Sequence, residues 1–242
     1  MKIIFDHVTK SYGVVTALRD SSLTIEPGEF VFIVGPSGAG KSTVIKLLLH
    51  QIKPTSGDII INDCHINTAT KPQIDILRRQ IGVVFQDYQL IPDKNIEENI
   101  SIALDIVGYP SQNISAKIDQ VINQVGLQTR RHQFPSQLSG GELQRAALAR
   151  ALAVEPKIIL ADEPTGNLDN QNSWNLIKLF KDINEQSGTT IIMTTHNLDI
   201  VQSLSKRVIS IDNGQIIDSQ STPTSTPIIN KKKKLKTKKK IL

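Results

Sequence analysis

Residues 35–42 read Gly35-Pro36-Ser37-Gly38-Ala39-Gly40-Lys41-Ser42. They fit the pattern G-x-x-x-x-G-K-[ST], and each residue type in it has a chemical reason. Glycines let the backbone come close to a ligand, so successive N–H groups converge on phosphate oxygens. The lysine reaches the β- and γ-phosphates, and the hydroxyl ligates Mg²⁺. The flanks have the form the pattern requires. Phe30-Val31-Phe32-Ile33-Val34 is a short apolar run suited to a buried parallel strand. Thr43-Val44-Ile45-Lys46-Leu47-Leu48-Leu49 continues as a helix, whose N-terminus adds a positive dipole end. A glycine turn matching by chance would lack both flanks. Strand, loop and helix together imply a nucleoside triphosphate site built on residues 35–42 and Thr43, with Lys41 on the phosphates and Ser42 on the metal.

The chain has 242 residues, enough for one ordinary domain or a domain with a small lobe. No stretch reaches the ~18 consecutive apolar residues that spanning a bilayer requires. The N-terminus puts Asp6 where a signal peptide would carry its apolar run. A single cysteine, Cys64, forbids an internal disulfide, fits a reducing cytosol and is expected to pack rather than react. The net charge of +5 misleads, because residues 231–242 alone hold eight lysines and no acid. The rest of the chain is mildly acidic. The segment beyond residue 220 is Ser/Thr/Pro-rich and then Lys-rich, and it reads as a disordered tail.

Strand-like runs fill residues 2–34, and Gly57–Asp63 reads as another strand. Ile81–Phe85, Lys157–Ala161 and Thr189–Met193 read as buried parallel strands. Residues 95–155 are helical in pattern without a convincing strand, and residues 171–186 read as a further helix. The strand at Lys157–Ala161 delivers Asp162 and Glu163 to the carboxyl edge of a parallel sheet, where ligands bind. Asp162 is placed to hold Mg²⁺, directly or through water. Glu163 is placed to orient or deprotonate an attacking water. Leu138-Ser139-Gly140-Gly141-Glu142 precedes a strong helix former, and Ser139 and Glu142 have the capping-box spacing. Ser139, Gly140, Gly141 and Glu142 therefore form a second anion-binding helix N-terminus, or a plain cap; two glycines are more than a cap needs.

The phosphate loop, the Leu138–Glu142 pentapeptide and the Asp162-Glu163 pair together resemble the nucleotide-binding subunits of ATP-binding cassette (ABC) transporters, over about residues 2–218. The resemblance implies an α/β fold. Its P-loop NTPase core of ABC type carries an N-terminal antiparallel β lobe and an α-helical insert lobe at about 95–155. The domain runs over residues 1–220 and the tail over 221–242. The implied activity is hydrolysis of ATP with Mg²⁺. Further roles follow by resemblance only. Gln86 matches the glutamine that senses Mg²⁺ and the membrane partner, and His196 the histidine that touches the γ-phosphate. Asp169, in Gly166-Asn167-Leu168-Asp169, belongs to the loop beside the nucleotide, and Tyr12 takes the place of the aromatic that stacks on adenine. Since the chain holds one copy of each half-site, a homodimer around two ATP is expected.

Three segments, Leu77–Asp87, Phe134–Glu142 and Ala161–Asp169, narrow the resemblance to the cell-division branch of that family. That branch implies a peripheral protein on the cytoplasmic face of the bacterial plasma membrane, held by an integral membrane partner. The apolar residues Tyr88, Leu90 and Ile91 are expected to line the partner's docking groove. Rival readings keep the fold and change the partner: an exporter of lipoproteins or macrolides, or an amino-acid importer. A soluble nucleic-acid-associated ATPase is more remote, and no specific nucleic-acid partner is expected. Two departures stand out. Leu143 replaces a glutamine common after the pentapeptide, and the lysine tail is foreign to the pattern. Attraction of that tail to an anionic membrane surface is its functional reading.

Overall fold

The computed structural model describes residues 1–218; the lysine-rich tail anticipated beyond them lies outside the described residues. Phe30–Val34 forms β3, and all five residues are buried. Its parallel neighbours are β8 (Thr190–Thr195) and β9 (Arg207–Asp212). Parallel strands β7 (Ile158–Asp162) and β6 (Ile81–Phe85) extend the sheet beyond β8, and β10 (Gln215–Asp218) closes the opposite edge antiparallel to β9. Among the described residues the sheet has six strands in the order β10-β9-β3-β8-β7-β6.

The apolar runs are continuous because both faces are covered. Alternate residues of each strand enter different cores. Phe30, Phe32, Val34, Ile159, Ala161, Ile191 and Met193 face a helical layer made by α3 (Ile96–Val107), α4 (Ile114–Gln124), α5 (Gly140–Ala153), α6 (Asn170–Ser187) and α7 (Leu198–Leu204). Val31, Ile33, Ile158, Leu160 and Ile192 face the other core. That core also takes α1 (Lys41–Leu48), α2 (Lys71–Arg78) and the antiparallel sheet of β1 (Ile3–Tyr12), β2 (Val15–Ile25), β4 (Ser56–Ile61) and β5 (Cys64–His65). Cys64 packs against this core, in line with a packing role. Phe32 is wholly buried between layers. Truncating it to alanine would cost about 3–5 kcal/mol through lost burial and a cavity.

Two differences from the sequence expectation are instructive. The strand expected to end at Met193 runs on through Thr194 and Thr195, both buried. Polar residues can finish a buried strand here because each hydroxyl has a partner: Thr194 Oγ1 donates to Asp162 Oδ1 at 2.6 Å, and Thr195 Oγ1 accepts from the Asn197 N–H at 3.0 Å. The hairpin of β9 and β10 was not anticipated at all. Its turn is Asn213-Gly214, both left-handed at φ 49° and 77°, the strongest short hairpin signal a sequence offers.

The parallel register sets the site. Phe85 pairs with Asp162, Asp162 with Thr194, and Val34 with Thr195. The segments that begin at Gly35, Gln86, Glu163 and His196 therefore leave the sheet along one edge. No helix among the described residues is long and apolar enough to cross a membrane.

Candidate active site

The phosphate loop is wedged between two strands. A side-chain carbon at Gly40 would stand 2.4 Å from the Ala17 carbonyl oxygen of β2, and one at Gly35 would stand 2.4 Å from the Ile211 carbonyl oxygen of β9. Gly40 also has a left-handed backbone, φ 110°, and starts α1 without any side-chain cap. An uncapped helix start leaves its first N–H groups to face whatever enters the loop. This cradle, which a larger residue would fill, fits a phosphate chain.

Lys41 opens α1 and is buried. Its ammonium donates to the Gly35 and Pro36 carbonyls at 3.0 and 3.3 Å, and Glu163 Oε1 lies 3.3 Å away. Ser42 Oγ donates to Asp162 Oδ1 at 3.2 Å, an oxygen that also accepts from Thr194 Oγ1. Ser42, Gln86 and Asp162 line one cleft of about 530 Å³ together with Asn167. A hydroxyl, a carboxylate and an amide are the hard oxygen donors that Mg²⁺ takes beside substrate phosphates, so the set fits that ion. Gln86 is held by a reciprocal pair of bonds: its Nε2 donates to Asn167 Oδ1 at 3.2 Å, and Asn167 Nδ2 donates to the Gln86 carbonyl at 3.0 Å.

Glu163 adopts a left-handed backbone, φ 46°. For a residue with a Cβ this costs on the order of 1 kcal/mol, a strain that surrounding bonds must hold. Here the Glu163 N–H donates to the Thr194 carbonyl at 3.2 Å and to Thr194 Oγ1 at 2.9 Å. His196 Nδ1 lies 2.7 Å from Glu163 Oε2. The carboxylate is thus clasped between Lys41 and His196, with Thr194 beneath it. Thr194 was missed by sequence reasoning, although two threonines ending an apolar strand beside a candidate histidine are a usable signal.

The pentapeptide meets this group only at its margin, where a side-chain carbon at Gly140 would stand 3.5 Å from the Asn167 carbonyl oxygen. Ser139 is the N-cap of α5, in a capping box with Glu142. The Ser139 N–H and hydroxyl donate to Glu142 Oε2 at 2.9 and 2.7 Å, and Arg130 Nε donates to Glu142 Oε1 at 2.7 Å. These bonds hold the Glu142 carboxyl down to about 2, the Ser139 backbone N–H first, then its hydroxyl, then Arg130. Asp169 caps α6 by accepting from the Asn172 N–H at 2.9 Å. That bond holds its carboxyl below the ordinary range. A side-chain carbon at Gly141 would stand 2.9 Å from the Asn172 side chain, so the pentapeptide rests against the Asp169 cap. Tyr12 ends β1, half exposed, with the Lys10 ammonium 5.0 Å from its ring centroid. Among the described residues no bond joins Tyr12, Asp169 or residues 139–142 to the phosphate loop.

The three residues expected to line the docking groove sit in different surroundings. Tyr88 and Leu90 pack against the helical core. Only Ile91 of the three lines an open cleft, of about 540 Å³, with Ile102, Ile106 and Val83.

Comparison with known proteins agrees with this geometry. The family model described as "ABC transporter" matches residues 18–166. The cell division ATP-binding protein FtsE of Streptococcus pneumoniae serotype 2 is 47% identical over 216 residues, 89% of this chain and 94% of that protein. The methionine import ATP-binding protein MetN of Vibrio cholerae is 38% identical over 204 residues, 84% of this chain and 59% of MetN. The solved dimer of the ATP-binding cassette MJ0796 bound to ADP and Pi superposes with a TM-score of 0.81 at 34% identity, covering 88% of this chain and 96% of that one. The chain belongs to the ABC transporter family and is one of its ATP-hydrolysing cassettes.

Proposed function

We propose that this ATPase is the ATP-binding subunit of an FtsE–FtsX-type complex in bacterial cell division, dimerising around two ATP and working on the cytoplasmic face of the plasma membrane through an integral partner resembling FtsX. The observation that carries the reading is the similarity to FtsE along nearly the whole length of both chains. An importer role has the MetN likeness behind it, at lower identity and over little more than half of MetN.

In the proposed cycle the phosphate loop of one protomer faces the α5 N-terminus of the other. Lys41 turns from Glu163 to the β- and γ-phosphate oxygens, which leaves the carboxylate free to take a proton from the attacking water. His196 keeps that carboxylate oriented through its 2.7 Å contact. Mg²⁺, when bound by Ser42, Asp162 and Gln86, supplies charge neutralisation at the phosphates. The partner's α5 dipole and N–H groups stabilise charge on the γ-phosphoryl group, a role that needs no arginine. Tyr12 stacks on adenine, with Lys10 fixing the far face of its ring.

The membrane partner is proposed to dock a cytoplasmic helix into the cleft lined by Ile91, Ile102 and Ile106. Ile106 is 66% exposed, an apolar side chain in want of cover. Residues 231–242 are proposed to add electrostatic attraction to anionic lipid. Co-expression with an integral membrane protein resembling FtsX tests the reading. The two should co-purify in detergent, and the pair Ile102→Asp and Ile106→Asp should release the partner while nucleotide binding persists. Co-purification with a substrate-binding import system would overturn it in favour of the importer.

A further inference from the structure

The segment that carries Gln86 is tied to helices by three side chains. Gln144, wholly buried on α5, donates its Nε2 to the Phe85 carbonyl at 3.1 Å. Asn99 of α3 accepts from the Ile91 N–H at 2.8 Å and donates to the Ile91 carbonyl at 3.2 Å. Between these two anchors lies Arg150, in the last turn of α5. Its guanidinium forks onto two successive carbonyls, NH1 to Gln89 at 2.5 Å and NH2 to Tyr88 at 3.2 Å. Both residues have left-handed backbones, φ 63° at Tyr88 and 47° at Gln89.

This arrangement is expensive for a purely structural purpose. Two consecutive residues with side chains occupy a conformation that L-residues avoid. The cation that holds them is partly buried, which lowers its pKa through desolvation. A guanidinium is suited to the task because its rigid fork reaches two acceptors in one plane. The turn it enforces reverses the chain directly after Gln86 and Asp87, which line the same cleft as Ser42 and Asp162. Arg150 also lines the apolar cleft on the other side of the turn.

We infer that Arg150 is a positioning residue for hydrolysis: by clamping the carbonyls of Tyr88 and Gln89 to α5, it sets the place of Gln86 beside Ser42 and Asp162. The inference rests on the proposed role of Gln86 at that site. It makes the approach of Gln86 to the metal-binding oxygens depend on the seating of the helix that also bears the pentapeptide.

A double-mutant cycle tests it, with kcat and the Mg²⁺ concentration for half-maximal activity measured for Arg150→Met, Gln86→Ala and the pair. Arg150→Met should lower kcat roughly tenfold and raise the Mg²⁺ requirement, and it should add nothing once Gln86 is alanine. A residue that merely stabilises the fold would leave the Mg²⁺ requirement unmoved. If Arg150→Met does not melt cooperatively, Arg150→Lys, which keeps the stem and charge and reaches one carbonyl, carries the same cycle. Losses that multiply in the pair, or an unchanged Mg²⁺ requirement, would overturn the inference alone. A fully active Gln86→Ala would overturn the underlying role of Gln86, and the inference with it.

Discussion

The proposed site draws on two helix N-termini, and they are built in opposite ways. The start of α1 is uncapped and sunk among Asp162, Glu163 and Thr194, and its lysine is buried. The start of α5 is capped by its own serine and locked by Glu142 and Arg130, and Ser139 is exposed. The first holds its charges close and engages its lysine and serine donors in internal contacts that a ligand can replace. The second is made rigid in advance and turned outward, as a surface must be if it is to meet another molecule with little ordering cost. Neither half alone has both the acid–base groups and the second set of donors that a phosphoryl transfer uses. In the proposed cycle that difference is the reason two protomers are needed.

The sharpest test of the buried half is Glu163→Gln, which keeps the shape and removes the base. Turnover should fall by a factor on the order of 10² or more, with an ATP- and Mg²⁺-dependent dimer still forming on a sizing column. Normal turnover would remove Glu163 from the role. A second experiment breaks the two halves in separate chains. Lys41→Ala disables the α1 site and Ser139→Phe obstructs the α5 surface. Each should be nearly inactive alone. An equal mixture should recover roughly a quarter of wild-type turnover, because half of the dimers are mixed and each then holds one intact composite site. No recovery would mean that each chain works alone or that both sites must be whole.

Smaller effects probe what holds each half. Thr194→Val strips one partner from Asp162 and one from the Glu163 N–H. It should cost about 1–3 kcal/mol of stability and reduce kcat by roughly tenfold, read from melting and steady-state rates. At α5, the Glu142 carboxyl sits at about 2 in the folded chain against an ordinary 4.5. A depressed carboxyl stabilises the fold above its unfolded value, and that contribution fades as pH falls from about 4.5 towards about 2. Glu142→Gln should therefore lose about 1 kcal/mol at neutral pH, a value discounted for the partial exposure of the group. The gap in urea midpoint between variant and wild type should close over that window. A gap independent of pH would assign the loss to the cap geometry and not to the charge.

Much of this was legible in the residues. The phosphate loop, the strand Phe30–Val34, the acids after β7 and the capped pentapeptide each carry their signal within a few neighbouring positions. What escaped was non-local or spoke softly. Thr194 matters because β8 lies beside β7 in register, and no spacing along the chain states that. The β9–β10 hairpin announced itself only by Asn213-Gly214. Tyr88 and Leu90, read as a surface for a partner, also pack part-buried against the helical core, and hydropathy alone does not say which neighbour an apolar side chain will find.

By itself the sequence determined the kind of chemistry: which residues can cradle phosphate, carry a proton or cap a helix. Those properties depend on residue type and short-range backbone geometry. Only the tertiary structure decided which of them meet. The register of four parallel strands, β3, β6, β7 and β8, brings Gly35, Gln86, Glu163 and His196 to one edge, while among the described residues no hydrogen bond joins Ser139–Glu142 to the phosphate loop of its own chain. The reason is physical: contact between segments far apart in sequence is set by how the cores close, and closing two cores on one sheet fixes positions that no local pattern contains.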